Sequence, residues 1–112
     1  MQERRRHVRA KPVPELPARV LYEVAPPISE SLDVVDISVS GLAIAHEGQP
    51  EWPVGSTKKL RLVLPEGTHE IACVVRWAGK GMMGLELVEP SEDTAKAVRR
   101  YVGELLERGS RA

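Results

Sequence analysis

The sequence predicts a mainly β domain, either an antiparallel sandwich or a small closed barrel, followed by one helix. Short apolar-rich runs recur between residues 19 and 88, and turn-forming glycines and prolines separate them. Helical spacing of apolar residues is found only after Pro90. The 112 residues are enough for one domain with a modest core.

Six strands are predicted from these runs. Their ranges are 19–25, 32–38, 42–46, 58–64, 69–78 and 82–88. The fourth strand shows the alternation most clearly, because Leu60, Leu62 and Leu64 share one face. Pro26-Pro27 and the glycine pair around Lys80 are two of the predicted turns.

The segments that flank the strands have a different character. Residues 1–17 are basic and then rich in proline, which predicts an extended, flexible leader. The strands occupy residues 18–90, and a helix is predicted over residues 91–108, all within one domain. Ser91 is the expected N-cap of this helix, with Glu92 and Asp93 in its first turn.

The net charge of zero hides an asymmetry along the chain. Residues 1–11 carry five basic side chains and one acidic side chain, a net charge of +4, so the remainder carries −4. An acidic body argues against a general nucleic-acid binder, whose binding surface is usually basic. The basic start is compatible with a local site for an anion.

Other composition features exclude several functions. Cys73 lies in an apolar run, which favours a buried, inert thiol. The three histidines lack metal-ligand spacing, so we expect no metal, and the motifs of nucleophilic or acid–base catalysis are missing, so we expect no enzyme. No signal sequence is evident, and no apolar run approaches the ~20 residues of a membrane span, so we expect a cytoplasmic protein without membrane insertion.

Two groups of polar residues are candidates for a binding site. In the first, Asp36, Ser38, Ser40 and Gly41 surround the turn after the second strand. Strict alternation would project the carboxylate and both hydroxyls to one side, and Gly41 could adopt a positive φ. By itself, this pattern is more typical of side chains that bond their own turn.

The second group is the run of arginines at the start of the chain. Such terminal runs are usually solvated and disordered. Arg5 and Arg9, four residues apart, could instead bind phosphate oxygens or the O6 and N7 of guanine. A carboxylate such as Asp36 complements the other edge of guanine, so the two groups together fit a guanine nucleotide.

Taken in order, the two groups resemble the motifs of the PilZ domain family. Arg5-x-x-x-Arg9 is followed by Asp36-x-Ser38-x-x-Gly41 and by a final strand with the sequence GLELVEP. The resemblance covers nearly the whole chain. It implies a six-stranded antiparallel β-barrel with a C-terminal α-helix and an extended N-terminal leader. It also implies that the ligand is the bacterial second messenger cyclic di-GMP.

The resemblance further implies a role for each motif residue. Arg5 and Arg9 would hold phosphates and guanine, and Asp36 and Ser38 would bond a guanine edge and orient the arginines. Gly41 would permit the turn and a close ligand approach. Arg4 precedes the first motif arginine, and an arginine at this position resembles the family members that bind an intercalated pair of ligands. Ordering of the leader would then relay binding to an unidentified effector protein.

Three more residues and two other functions are considered. Ser40 and Arg76 could contact the ligand, and Trp77 could stack on a base, although such a tryptophan more often belongs to the core or a helix contact. One alternative is a PilZ-like adaptor that binds proteins without the messenger. The other is a basic-armed nucleic-acid-binding protein, and the acidic body argues against it.

Overall fold

The computed structural model describes residues 8–48 and 50–112, which form six strands and one helix. The elements are β1 Arg19–Ala25, β2 Ile28–Ile37, β3 Gly41–Ala45, β4 Thr57–Leu64, β5 Gly67–Gly79, β6 Met82–Leu87 and α1 Glu92–Glu107. The strands form a closed barrel in the order β1-β2-β3-β6-β5-β4, with antiparallel neighbours. The predicted fold class is confirmed, and pairing of β1 with β4 makes it a barrel rather than a sandwich.

The alternating apolar residues of the strands fill the barrel. Leu62 and Ile44 are fully buried, and so is Cys73. Burial raises the pKa of the Cys73 thiol to about 12, so it is not a thiolate near neutral pH.

Helix α1 packs its apolar face against the barrel core. The Ser91 hydroxyl caps its start and accepts a hydrogen bond from the Thr94 backbone N–H at 3.1 Å. Val98, Tyr101 and Leu105 are buried in the same core cluster as the strand residues. No helix in the described part of the chain is long and apolar enough to span a membrane.

The described part of the leader is in contact with the barrel and the helix. Ala10 is fully buried and exchanges two backbone hydrogen bonds with Ile37, both 2.9 Å long. The Tyr101 hydroxyl donates to the Leu16 carbonyl at 2.6 Å. Further along, the Ala18 carbonyl accepts from the Val34 N–H. The flexibility of residues 1–17 and the boundaries at 17/18 and 90/91 stay predictions.

Candidate functional site

Arg9 and Asp36 form an ion pair at the junction of the leader and the barrel. Arg9 Nε and Nη2 each lie 2.6 Å from Asp36 Oδ1, and both side chains are 19% exposed. Arg9 directly precedes Ala10, which is hydrogen bonded to Ile37 beside Asp36. Backbone pairing therefore brings together two side chains that are 27 residues apart in sequence.

A β-bulge turns Asp36 away from the barrel interior. The register between β2 and β3 shifts from Val34↔Ile44 to Asp36↔Ala43, so β2 carries one extra residue. Val34 and Ile37 both face the core, and Asp36 lies between them on the outer surface. Without the bulge, alternation from Val34 would direct the carboxylate into the core.

Four outward-facing positions form a row across the barrel next to this ion pair. Asp36 pairs with Ala43, Ala43 with Gly84, and Gly84 with Trp77, across β2, β3, β6 and β5. We call this row, together with Arg9, the Arg9–Trp77 face. Its middle has little side-chain bulk because Ala43 and Gly84 are the two smallest residue types, and both are buried. An aromatic ring borders it at one end, and an arginine–carboxylate pair borders it at the other.

Trp77 lies across the backbone of Gly84 and is 46% exposed. A Cβ added at Gly84 would overlap the indole ring, so glycine is required for this ring position. The prediction that Trp77 belongs to the core or to a helix contact is wrong. A register shift between Val75 and Trp77 interrupts the alternation of β5 and leaves the ring on the outer surface.

The turn between β2 and β3 uses Ser38 internally. Ser38 is 1% exposed, and its hydroxyl accepts a hydrogen bond from the Ser40 N–H at 3.2 Å. The Ser38 N–H donates to the Gly41 carbonyl at 2.8 Å. The hydroxyl oxygens of Ser38 and Ser40 lie 3.3 Å apart, on the same side of the turn, and the projection of Asp36 to that side stays a prediction. Ligand contacts by Ser38 and Ser40 stay predictions.

Gly41 is required for a reason other than the expected one. Gly41 is not among the glycines with positive φ in the described chain. A Cβ at Gly41 would instead collide with the Leu85 carbonyl oxygen on β6. Close approach of β3 and β6 therefore excludes any side chain at this position.

Arg76 is paired with Glu86 next to the Arg9–Trp77 face. Arg76 Nε donates to Glu86 Oε1, and both side chains are largely exposed. Glu86 pairs with Gly41 across the β3–β6 ladder, one outward position along β6 from Gly84. The predicted phosphate contact of Arg76 would therefore compete with a carboxylate.

The structure and the predicted site overlap in part. Arg9, Asp36, Trp77 and Arg76 lie on or beside one outer face, whereas Arg4 and Arg5 lie outside the described residues. Sequence reasoning missed Ala43, and it used Gly84 and Glu86 only as part of the final-strand signature without placing them at the site. The signal for Ala43 and Gly84 was available, because each is a small residue between two inward-facing apolar neighbours in a strand.

Comparison with known proteins identifies the family. The sequence matches the PilZ domain over residues 3–104, so the chain belongs to the PilZ domain family. No curated protein sequence matches it. Three solved structures share the fold at 14–22% sequence identity.

The first of these is the PilZ domain of YcgR from Escherichia coli with c-di-GMP, at 14% identity and a TM-score of 0.74. The match covers 96% of this chain and 95% of that domain. The MrkH–c-di-GMP complex of K. pneumonia gives 18% identity, a TM-score of 0.80 and coverage of 97% and 55%. The Bacillus subtilis inhibitor of motility MotI/DgrA gives 22% identity and a TM-score of 0.65. That match covers 96% of this chain and 52% of the other protein. This chain thus spans about half of the last two proteins.

Proposed function

We propose that this chain is a non-catalytic receptor for cyclic di-GMP and that the Arg9–Trp77 face is its binding surface. The observation that carries the proposal is the ion pair between Arg9 and Asp36, two residues that resemble motif residues of the PilZ family, to which the chain belongs. The presence of c-di-GMP in two structures of the same fold supports the choice of ligand.

The chemistry of the face suits this ligand, which has two phosphates and two guanine bases. The Arg9 guanidinium can form paired hydrogen bonds to a phosphate or to guanine O6 and N7. Asp36 can accept from guanine N1–H and the 2-amino group. The exposed Trp77 ring offers a stacking partner for a base, and the small Ala43 and Gly84, both buried, add no bulk beside it.

The arginines before Val8 complete the proposal. Arg5 would act with Arg9 as a clamp on the ligand, and Arg4 would stack on a base of a second, intercalated cyclic di-GMP. Two ligands per protomer are therefore expected. Isothermal titration calorimetry gives the stoichiometry directly, and a value near one contradicts the role of Arg4.

The proposed relay involves the end of the leader that carries Arg4 and Arg5. Ala10 and Ala18 already make backbone hydrogen bonds to the barrel. Ligand-dependent ordering is therefore expected at the arginines before Val8, which would change a surface that an effector protein binds. Hydrogen exchange in residues 3–8 that is unchanged by cyclic di-GMP contradicts this relay.

The test of the function compares two double variants in titrations with cyclic di-GMP. Arg5→Ala with Arg9→Ala is expected to abolish saturable binding at micromolar ligand, because it removes both proposed clamp residues. Arg99→Ala with Arg100→Ala removes the same charge from the exposed surface of α1 and is expected to bind like the wild type.

The outcomes separate the candidate functions. No saturable binding by the wild type contradicts the receptor function and favours the messenger-independent adaptor. Persistent binding by the Arg5, Arg9 double variant contradicts the site. DNA binding that weakens steeply with salt would instead support the basic-armed nucleic-acid binder.

A further inference from the structure

The chain turns back towards the ligand-binding motif after helix α1. Gly109 has φ +79°, and its N–H donates to the Leu106 carbonyl at 2.9 Å, while the Ser110 N–H donates to the Leu105 carbonyl at 3.0 Å. This bond pattern is a Schellman motif, which needs a residue with positive φ and is usually met by glycine. The residues that follow it are Ser110–Ala112, called the tail below.

The tail pairs with the segment that contains Arg9. The Lys11 N–H donates to the Ser110 carbonyl at 2.9 Å, and the Ala112 N–H donates to the Arg9 carbonyl at 3.0 Å. The Ser110 hydroxyl adds a third bond, to the Lys11 carbonyl, at 2.6 Å. Because Ala10 is bonded to Ile37 on its other side, the Arg9 segment lies between β2 and the tail.

We propose that the tail is a positioning element for Arg9. The Arg9 backbone is held through its own carbonyl by Ala112 and through its neighbour Ala10 by β2. Without the tail, only the Ala10–Ile37 bonds and the ion pair with Asp36 would hold Arg9 at the barrel among the contacts of the described residues. This inference rests on the proposed function, since it assigns regulation of the same site.

Two consequences follow from thermodynamic linkage. If the tail raises the fraction of molecules with Arg9 in its binding geometry, removing tail bonds weakens the apparent affinity in proportion to the fraction lost. Conversely, a ligand that binds Arg9 and Asp36 must stabilise the tail pairing, because coupling between two sites is reciprocal. Binding at the barrel surface is thereby communicated to the residues after helix α1.

The first experiment removes one hydrogen-bond donor without removing a polar side chain. Ala112→Pro lacks the N–H that the Arg9 carbonyl accepts, and Ala112→Gly retains it. We expect Ala112→Pro to bind cyclic di-GMP about fivefold more weakly than Ala112→Gly, with similar melting temperatures. Ser110→Ala is expected to weaken binding similarly, and Ser110→Thr to restore it. Equal affinities of Ala112→Pro and Ala112→Gly overturn the inference.

The second experiment measures exchange at single amides by NMR. Saturating cyclic di-GMP is expected to slow exchange several-fold at the Lys11 and Ala112 amides. The Ser56 amide, which donates to the Pro53 carbonyl in a distant loop, is the matched control and should not change. Unchanged exchange at Lys11 and Ala112 in a protein that binds the ligand overturns the inference while the receptor function stands.

A ligand-free comparison decides the inference even if the wild type does not bind cyclic di-GMP. Asp36→Asn weakens the ion pair with Arg9, whereas Asp33→Asn alters an exposed carboxylate on the same strand. Faster exchange of the Ala112 amide in Asp36→Asn than in Asp33→Asn supports coupling between Arg9 and the tail. Equal exchange in the two variants overturns it.

Discussion

Two surfaces of the barrel differ in shape and in chemistry. One is a groove of about 620 Å³ whose lining includes Leu21, Lys59, Arg61 and Glu70 from β1, β4 and β5. The other is the Arg9–Trp77 face, which is a row of small residues between an ion pair and an exposed indole. A concave pocket is the usual first hypothesis for a binding site, and here it favours the groove.

The chemistry favours the Arg9–Trp77 face instead. The groove carries charges of both signs, including Lys59 and Glu70, and none of the predicted motif residues that the structure describes line it. A planar, dianionic ligand needs an arginine, a hydrogen-bond acceptor and an unobstructed surface for its bases. The comparison teaches that the proposed site is distinguished by its bordering side chains and not by its volume.

The largest expected effect distinguishes the two surfaces directly. Asp36→Asn replaces the charged acceptor on the Arg9–Trp77 face, and Glu70→Gln makes the same change in the groove. Hydrogen bonds to charged groups contribute about 1.5–3 kcal/mol, so Asp36→Asn should weaken cyclic di-GMP binding on the order of 30-fold. Glu70→Gln should leave binding unchanged in calorimetric titration. The reverse result would assign binding to the groove.

A prediction of intermediate size tests whether Gly84 and the Trp77 indole act together. Gly84→Ala is expected to displace Trp77 and to weaken binding about tenfold, because base–aromatic stacking contributes ~1–3 kcal/mol per base. Gly79→Ala is the control, since a Cβ there meets no other atom within contact distance. Fluorescence in a Trp52→Phe background monitors the indole. Unchanged affinity with a displaced indole would exclude Trp77 from the site.

The smallest expected effect concerns Glu86, the carboxylate that would compete with a phosphate for Arg76. Glu86→Gln removes a negative charge beside the face and releases Arg76 for a phosphate. Because the pair is exposed, the affinity for cyclic di-GMP should increase only about threefold. Glu104→Gln on the exposed surface of α1 controls for the change in net charge and should have no effect in the same titration. Weaker binding by Glu86→Gln would indicate that Glu86 itself contacts the ligand.

The barrel was predictable because alternation and turn residues report directly on strands. Leu60, Leu62 and Leu64 are buried as their spacing predicts, and the strand count is confirmed. The register shifts in three of the strand pairs were not predictable, since an extra residue in a strand leaves no fixed sequence signal. The shift between Val75 and Trp77 accounts for the error in the expected burial of Trp77.

The site was predictable only where a sequence motif exists. Arg9 and Asp36 are found together as the motif implies, although their contact spans 27 residues. Ala43 and Gly84 attract no attention in a search for polar side chains, because their contribution is the absence of bulk. The tail was missed because it acts mainly through backbone groups. Its residue Ser110 and the leader residue Lys11, which it contacts, are 99 positions apart in sequence.

The pairing of Ala112 with Arg9 has a practical consequence for protein engineering. A reporter fused after Ala112 would begin within one hydrogen bond of a proposed ligand-binding residue. Purification tags at that position risk altering the affinity they are meant to help measure, so a cleavable tag is preferable. The same proximity makes the position suitable for an environment-sensitive dye, which could convert this small barrel into an optical sensor for its ligand.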